Sequence, residues 1–127
     1  MSVRPVARGL IACEQVVIDA GTRNATLVNC FNARHFKVFP SPPFNFCLYS
    51  PLSGGLGYVK TGLAITGLRS SSVIYARDIT FNFVDKIQQV RYLFRLTDLS
   101  FPEPGAYSVV LTADGEWLAE TVINISR

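Results

Sequence analysis

The sequence predicts an all-β fold: an antiparallel sandwich of about eight strands, built as one domain over residues 1–127. Three observations carry that prediction. Apolar and polar residues alternate with a period of two in many segments, most cleanly where Tyr107, Val109 and Leu111 alternate with Ser108, Val110 and Thr112. Asp114-Gly115 is a strong hairpin signal, because both central residues of a type I′ turn need positive φ. No segment shows a 3.6-residue apolar period.

Taken in order, Val6 to Cys13 reads as the first strand, with Leu10 and Ala12 opposed to Ile11 and Cys13. Glu14 to Ile18 extends it or makes an irregular step, and any helix belongs at Glu14 to Ala20. Gly21 to Asn24 is a polar turn. Ala25 to Val38 reads as one long strand, although neither of its faces is cleanly polar. Phe39 to Pro43 holds three prolines that cannot donate to a ladder, so it is a connection or a strand edge. Phe44, Phe46 and Leu48 point inward from the next strand. Ser50 to Gly57 is expected to be the most flexible loop.

Tyr58 to Leu68 places Val59, Thr61, Leu63 and Ile65 on one side. After a turn at Ser70 to Ser72, Val73 to Val84 turns Ile79, Phe81 and Phe83 inward, and Asp85-Lys86 ends it. Val90 to Asp98 sets Tyr92, Phe94 and Leu96 against Arg91, Leu93, Arg95 and Thr97. Pro104-Gly105 suits a type II turn, with Pro presetting φ and Gly taking the positive φ. Tyr107 follows that turn as a tyrosine corner would. This makes the expected sandwich immunoglobulin-like or C2-like. Trp117 to Ile125 returns as the last strand.

A chain of 127 residues suits one domain. It can bury roughly two thirds of its unfolded surface, so no disulfide or metal staple is required. Charged residues make up 17%, against about 25% in a typical domain. That shortfall points to apolar surface left for a partner. The net charge is +3, and the twelve basic residues scatter from Arg4 to Arg127 without a run. This pattern argues against nucleic-acid binding, which needs a clustered basic face. Cys13, Cys30 and Cys47 fall in apolar segments and read as buried reduced thiols, their equal spacing a coincidence of strand length. The N-terminal stretch is interrupted by Arg4, Pro5, Arg8 and Glu14, unlike a signal peptide. No run approaches the ~18 apolar residues of a membrane span. The expected location is a reducing cytoplasm, where the patterns at Asn24-Ala25-Thr26 and Asn124-Ile125-Ser126 would carry no glycan.

Four stretches together resemble a family of small uncharacterised bacterial β-sandwich proteins, a domain of unknown function. They are Cys-Glu-Gln-Val-Val-Ile-Asp at 13–19, Asn-Ala-Thr-Leu-Val-Asn-Cys-Phe at 24–31, Phe-Pro-Ser-Pro-Pro at 39–43 and Phe-Pro-Glu-Pro-Gly-Ala-Tyr at 101–107. The resemblance implies a cytoplasmic bacterial β-sandwich and carries over no activity, ligand or site residue.

No catalytic set emerges from the residues. His35 is the only histidine, and no Gly-x-Ser-x-Gly elbow accompanies it. Ser53, Gly54, Gly55, Leu56 and Gly57 form a candidate binding loop. It is not a phosphate loop, because a strand and not a helix follows. Asp19, Asp85, Asp98 and Asp114 lie near turns without an Asp-x-Asp pair, which argues against calcium. Arg77, Arg91 and Arg95 form a candidate basic face. Most aromatic residues fall on inward positions, as core residues do. The expectation is a non-enzymatic binding or structural module without cofactor or metal. It would act through protein–protein contacts, self-association included, because several strands look apolar on both faces. The alternative is a C2-like module that binds a ligand or a lipid surface through its end loops.

Overall fold

The computed structural model describes residues 2–127. These residues form ten strands: β1 (Val6–Ala7), β2 (Ile11–Ile18), β3 (Ala25–Cys30), β4 (Ala33–His35), β5 (Phe44–Ser53), β6 (Gly57–Gly67), β7 (Val73–Phe83), β8 (Gln89–Leu99), β9 (Gly105–Ala113) and β10 (Glu116–Ser126). Two sheets pack face to face. In the first, β8 pairs along one edge of β5, while β2 and the short β1 share the other edge, and β3 lies outside β2. The second runs β4-β10-β9-β6-β7. From β5 onward the chain crosses between sheets three times, with β6–β7 and β9–β10 as same-sheet hairpins, as an immunoglobulin-like sandwich does.

The core forms where period-two strands turn one side inward. Val59, Thr61, Leu63 and Ile65 of β6 are buried, as are Tyr107, Val109 and Leu111 of β9. Phe46, Leu48 and Leu52 of β5 and Tyr92, Phe94 and Leu96 of β8 meet them from the first sheet. Thr61 satisfies its hydroxyl by donating to the Ile79 carbonyl at 2.7 Å, as a buried polar group must. The hairpin joining β9 and β10 has φ of 49° at Asp114 and 83° at Gly115, the left-handed pair that Asp-Gly favours. Tyr107 is a tyrosine corner: its hydroxyl donates to the Glu103 carbonyl at 2.6 Å and pins the entry of β9.

Four sequence expectations change. The first strand is broken, with Gly9 at φ 111° separating β1 from β2. Residues 14–18 extend β2, as the first of the two alternatives expected there, and the change is confined to the helix, which does not form. The long strand over Ala25–Val38 is two short ones in different sheets: β3 pairs antiparallel with β2, whereas β4 pairs parallel with β10. Its lack of a polar face has this cause, because the chain crosses between sheets at Phe31-Asn32. Phe31 packs edge-on against Phe44 and Phe46 in the crossing, and Arg34 lies over the Phe31 ring at 4.4 Å. The Arg34 guanidinium also donates to the Glu14 carboxylate.

The expected loop at Ser50–Gly57 is the fourth change. β5 runs through Ser53 and β6 begins at Gly57, so only Gly54, Gly55 and Leu56 connect the sheets. Leu56 exchanges two backbone hydrogen bonds with Val3, at 2.8 and 3.0 Å. Gly55 is buried, and a Cβ there would sit 2.9 Å from the Phe83 ring.

Two tests follow from this packing. Tyr107→Phe is expected to destabilise the domain by about 1–2 kcal/mol, because it removes a partner of a half-buried carbonyl. Tyr92→Phe is expected to be neutral or stabilising, since the buried Tyr92 hydroxyl has no hydrogen-bond partner among the described residues. Urea midpoints of the two variants measured side by side check the contrast. Gly55→Ala is expected to cost about 1–3 kcal/mol by overpacking against Phe83. An unchanged midpoint would mean that this connection yields freely.

Candidate functional site

β5 is apolar on both sides, and each side is buried in its own way. Phe46 and Leu48 face the main core, while Cys47 and Tyr49 face outward and are nonetheless buried. The cover is the β2–β3 hairpin. β2 pairs with β5 only at Ile11, Ala12 and Cys13. At Glu14 and Asn29 the β2–β3 ladder is interrupted, and Asn29 takes a φ of 55°. Cys13 and Val16, three positions apart, therefore both join the outer cluster. Ile18, Ala25, Leu27 and Leu93 pack around it. Hydrogen bonds from the Asn29 and Arg34 side chains hold the Glu14 carboxyl below the usual carboxylate range at this interruption.

The hairpin overhangs the outer face of β8 and leaves a cleft of about 440 Å³ lined by Ile18, Arg23, Gln89, Arg91 and Leu93. Arg23 comes from the hairpin turn, where it adopts a φ of 65°. Its backbone N–H donates to the Asp19 carbonyl at 2.8 Å. The Asp19 carboxylate is engaged elsewhere, accepting from the Thr22 N–H at 2.7 Å and the Thr22 hydroxyl at 2.8 Å. Those bonds hold the Asp19 carboxyl below its ordinary range. Among the described residues, no carboxylate lies within ion-pair distance of Arg23 or Arg91. Ile18 and Leu93 make apolar walls, and Gln89 adds an amide. The arrangement suits an anionic group on an apolar stem, which guanidinium hydrogen bonds would hold.

The predicted basic face is divided among three places. Arg91 lines this cleft. Arg95 stands on the same outer face of β8, but borders a smaller pocket with Glu14, Gln15, Asn45 and Thr97. Arg77 belongs to neither. It sits on β7 on the same face as the buried Leu63 but stays exposed at the sheet edge, its guanidinium 5.1 Å from the Phe94 ring. β7 and β8, consecutive in sequence, belong to different sheets, and alternation within each strand could not show that. The sequence reading missed Arg23, Ile18 and Gln89. The signal that could have found them is β5 itself, whose second apolar side required a cover from within the chain.

The other sequence candidates have local roles. His35 lies at the end of β4, its Nδ1 3.3 Å from the Ser126 hydroxyl. Asp85 accepts from the Ile87 and Gln88 N–H groups, and Asp114 accepts from the Lys60 N–H at 3.0 Å. The Asp98 N–H donates to Asn45 Oδ1 at 2.8 Å. Among the described residues, no three His, Cys, Asp or Glu side chains converge as metal ligands. No helix among them is long and apolar enough to cross a membrane.

No curated protein matches the chain by sequence. Several solved structures resemble it at low identity, three of them as follows. One is an alkylpurine DNA glycosylase, AlkC, from Pseudomonas fluorescens, bound to DNA with an abasic-site analogue. It is 13% identical with a TM-score of 0.49; the match covers 93% of this chain but 30% of the glycosylase. Another is a CARDB domain from Pyrococcus furiosus in complex with di-metal ions, at 10% identity and a TM-score of 0.42, covering 96% of this chain and 89% of that one. The third is an immunoglobulin-like protein from Pseudomonas aeruginosa, at 11% identity and a TM-score of 0.43, covering 97% of both chains. A family model matches residues 9–126, and the chain belongs to that family, a family of unknown function designated DUF6941.

Proposed function

We propose that this domain is a non-enzymatic binding module that takes an acidic segment of a partner protein into the cleft between the β2–β3 hairpin and β8. The observation that carries this reading is the pair of guanidinium groups, Arg23 and Arg91, facing one cleft without a carboxylate partner among the described residues. The free edge of β8, which pairs only with β5, runs beside it. An extended segment can add to such an edge while its side chains enter the cleft. The lining favours holding over chemistry: Ile, Leu, Gln and Arg supply no nucleophile and no group that exchanges a proton near neutral pH.

A second copy of the chain is one form the partner can take. The outer side of β5 gives that form no support, because the chain's own hairpin already covers it. A second reading, contact with a lipid surface, rests on the opposite feature, an uncovered one. Val84 and Ile87 are 73% and 92% exposed around Lys86, in the turn after β7. The Gly54–Leu56 connection lies at the same end, since Gly57 pairs with Phe83 and Ser53 with Gln89. Two exposed apolar residues beside a lysine suit an anionic lipid surface.

The test titrates the protein with a short polyglutamate peptide and, separately, with phosphatidylserine vesicles. The expected result is weak, salt-sensitive peptide binding, with amide NMR shifts confined to Ile18–Arg23 and Gln89–Leu93. Arg91→Glu is expected to weaken it about tenfold or more, on the order of 1.5–3 kcal/mol for a hydrogen bond to a charged group. Shifts elsewhere, or an unchanged Arg91→Glu affinity, would overturn the cleft reading. Vesicle binding lost in Ile87→Asp would favour the lipid one. Light scattering over a dilution series reads self-association against the 14.0 kDa monomer.

A further inference from the structure

The three cysteines stand on one row across three adjacent strands. Cys13 of β2 is the register partner of Cys30 on β3 and of Cys47 on β5. The equal spacing in sequence therefore has a structural counterpart. All three are free thiols. Cys13 and Cys47 are buried, whereas Cys30 is exposed, which corrects the expectation that all three are enclosed.

The two rungs differ in geometry. The Phe31 N–H donates to the Ala12 carbonyl at 3.0 Å, which makes Ala12–Phe31 the hydrogen-bonded rung. The next rung, Cys13–Cys30, is then the non-hydrogen-bonded kind, with Cα atoms about 4.5 Å apart and side chains close together. That separation falls within the ~4.4–6.8 Å span of disulfides. By the same alternation, the Cys13 backbone groups point toward β5. Cys13–Cys47 is thus the wider rung, with Cα atoms about 5.5 Å apart. The Cys47 thiol is also engaged, donating to the Glu14 carbonyl at 3.9 Å.

We propose that Cys30 and Cys13 form a covalent site for low-molecular-weight disulfides of the glutathione type, in which Cys30 captures and Cys13 resolves. The Cys30 thiolate attacks one sulfur of R–S–S–R. The S–S bond breaks, R–S⁻ leaves, and a mixed disulfide remains on Cys30. The Cys13 sulfur then attacks the Cys30 Sγ, and its proton passes to the departing sulfur. The second R–S group leaves as R–SH as the Cys13–Cys30 bond forms. Two electrons pass from the protein to the small disulfide, which becomes two thiols. The order follows from access, because Cys30 meets solvent and Cys13 does not. Burial, with Cys47 and Cys30 close by, pushes the Cys13 thiol up, which disfavours it as the first attacker.

Incubating the reduced native protein with oxidised glutathione, then alkylating and mapping peptides by mass, tests this. The expected product has lost two hydrogen masses, links the peptides of Cys13 and Cys30, and leaves Cys47 as the one alkylated thiol. Cys47→Ser should cross-link as the wild type does, while Cys13→Ser should stop at a glutathione adduct on Cys30. The peptide map of the wild type decides the matter even if a variant fails to fold. A stable Cys30 adduct in the wild type, a Cys13–Cys47 link, or no reaction in the native state would each overturn the proposal.

Discussion

Strand β5 must bury both of its sides. Phe46, Cys47, Leu48, Tyr49 and Ser50 are buried in succession, where a strand with one wet face would alternate. Its inner side finds the opposing sheet. Its outer side finds no second sheet, so the β2–β3 hairpin leaves the edge of β5 after Cys13 and lies over it. Other features depend on that displacement. It leaves the distal edge of β5 to the short β1, it makes the outer face of β8 one wall of a cleft, and it sends the chain from β3 across to the second sheet as β4.

Alternation was a sound guide wherever a strand stays in one sheet with one side on the core. The inner residues of β6, β8 and β9 follow it residue by residue, as do Asp114-Gly115 and the tyrosine corner at Tyr107. It failed at Ala25–Val38, because a period of two says nothing about which sheet a strand belongs to. The basic face failed for the same reason: Arg77 and Arg91 lie on successive strands of opposite sheets, one on the core-side face of an edge strand and one on an outer face. Cys30 looked buried because its neighbours are apolar, yet those neighbours serve a hairpin with a free edge. The cleft itself needs residues from the β2–β3 hairpin and from β8, distant in sequence. Only the two-sided apolar character of β5 hinted that such a cover exists.

The long edges of the sandwich are defended differently. At the free edge of β7, the exposed Arg77 lies on the core-side face with its guanidinium over the Phe94 ring, and a register shift beside Ile65 and Thr66 distorts the strand. Both devices discourage indiscriminate strand addition. The edge of β8 instead carries Arg91 and Arg95 on its outer face, with Leu93 between them under the hairpin. Charge there repels another basic edge, and on the proposed function the same residues would select an acidic segment.

The parallel pairing of β4 with β10 joins residues 33–35 to 124–126. That pairing has a consequence in time. During synthesis at roughly 5–20 residues per second, the β2–β3 hairpin and the β5–β8 pair are complete before β10 exists. β4 has to wait, unpaired, until the chain has been made through Ser126. Closure across so long a stretch is also the slow kind of contact. The edge of the second sheet can thus be sealed only after residues 124–126 are made, and a folded nascent chain lacking β10 would expose the β10 side of β9 as an open template.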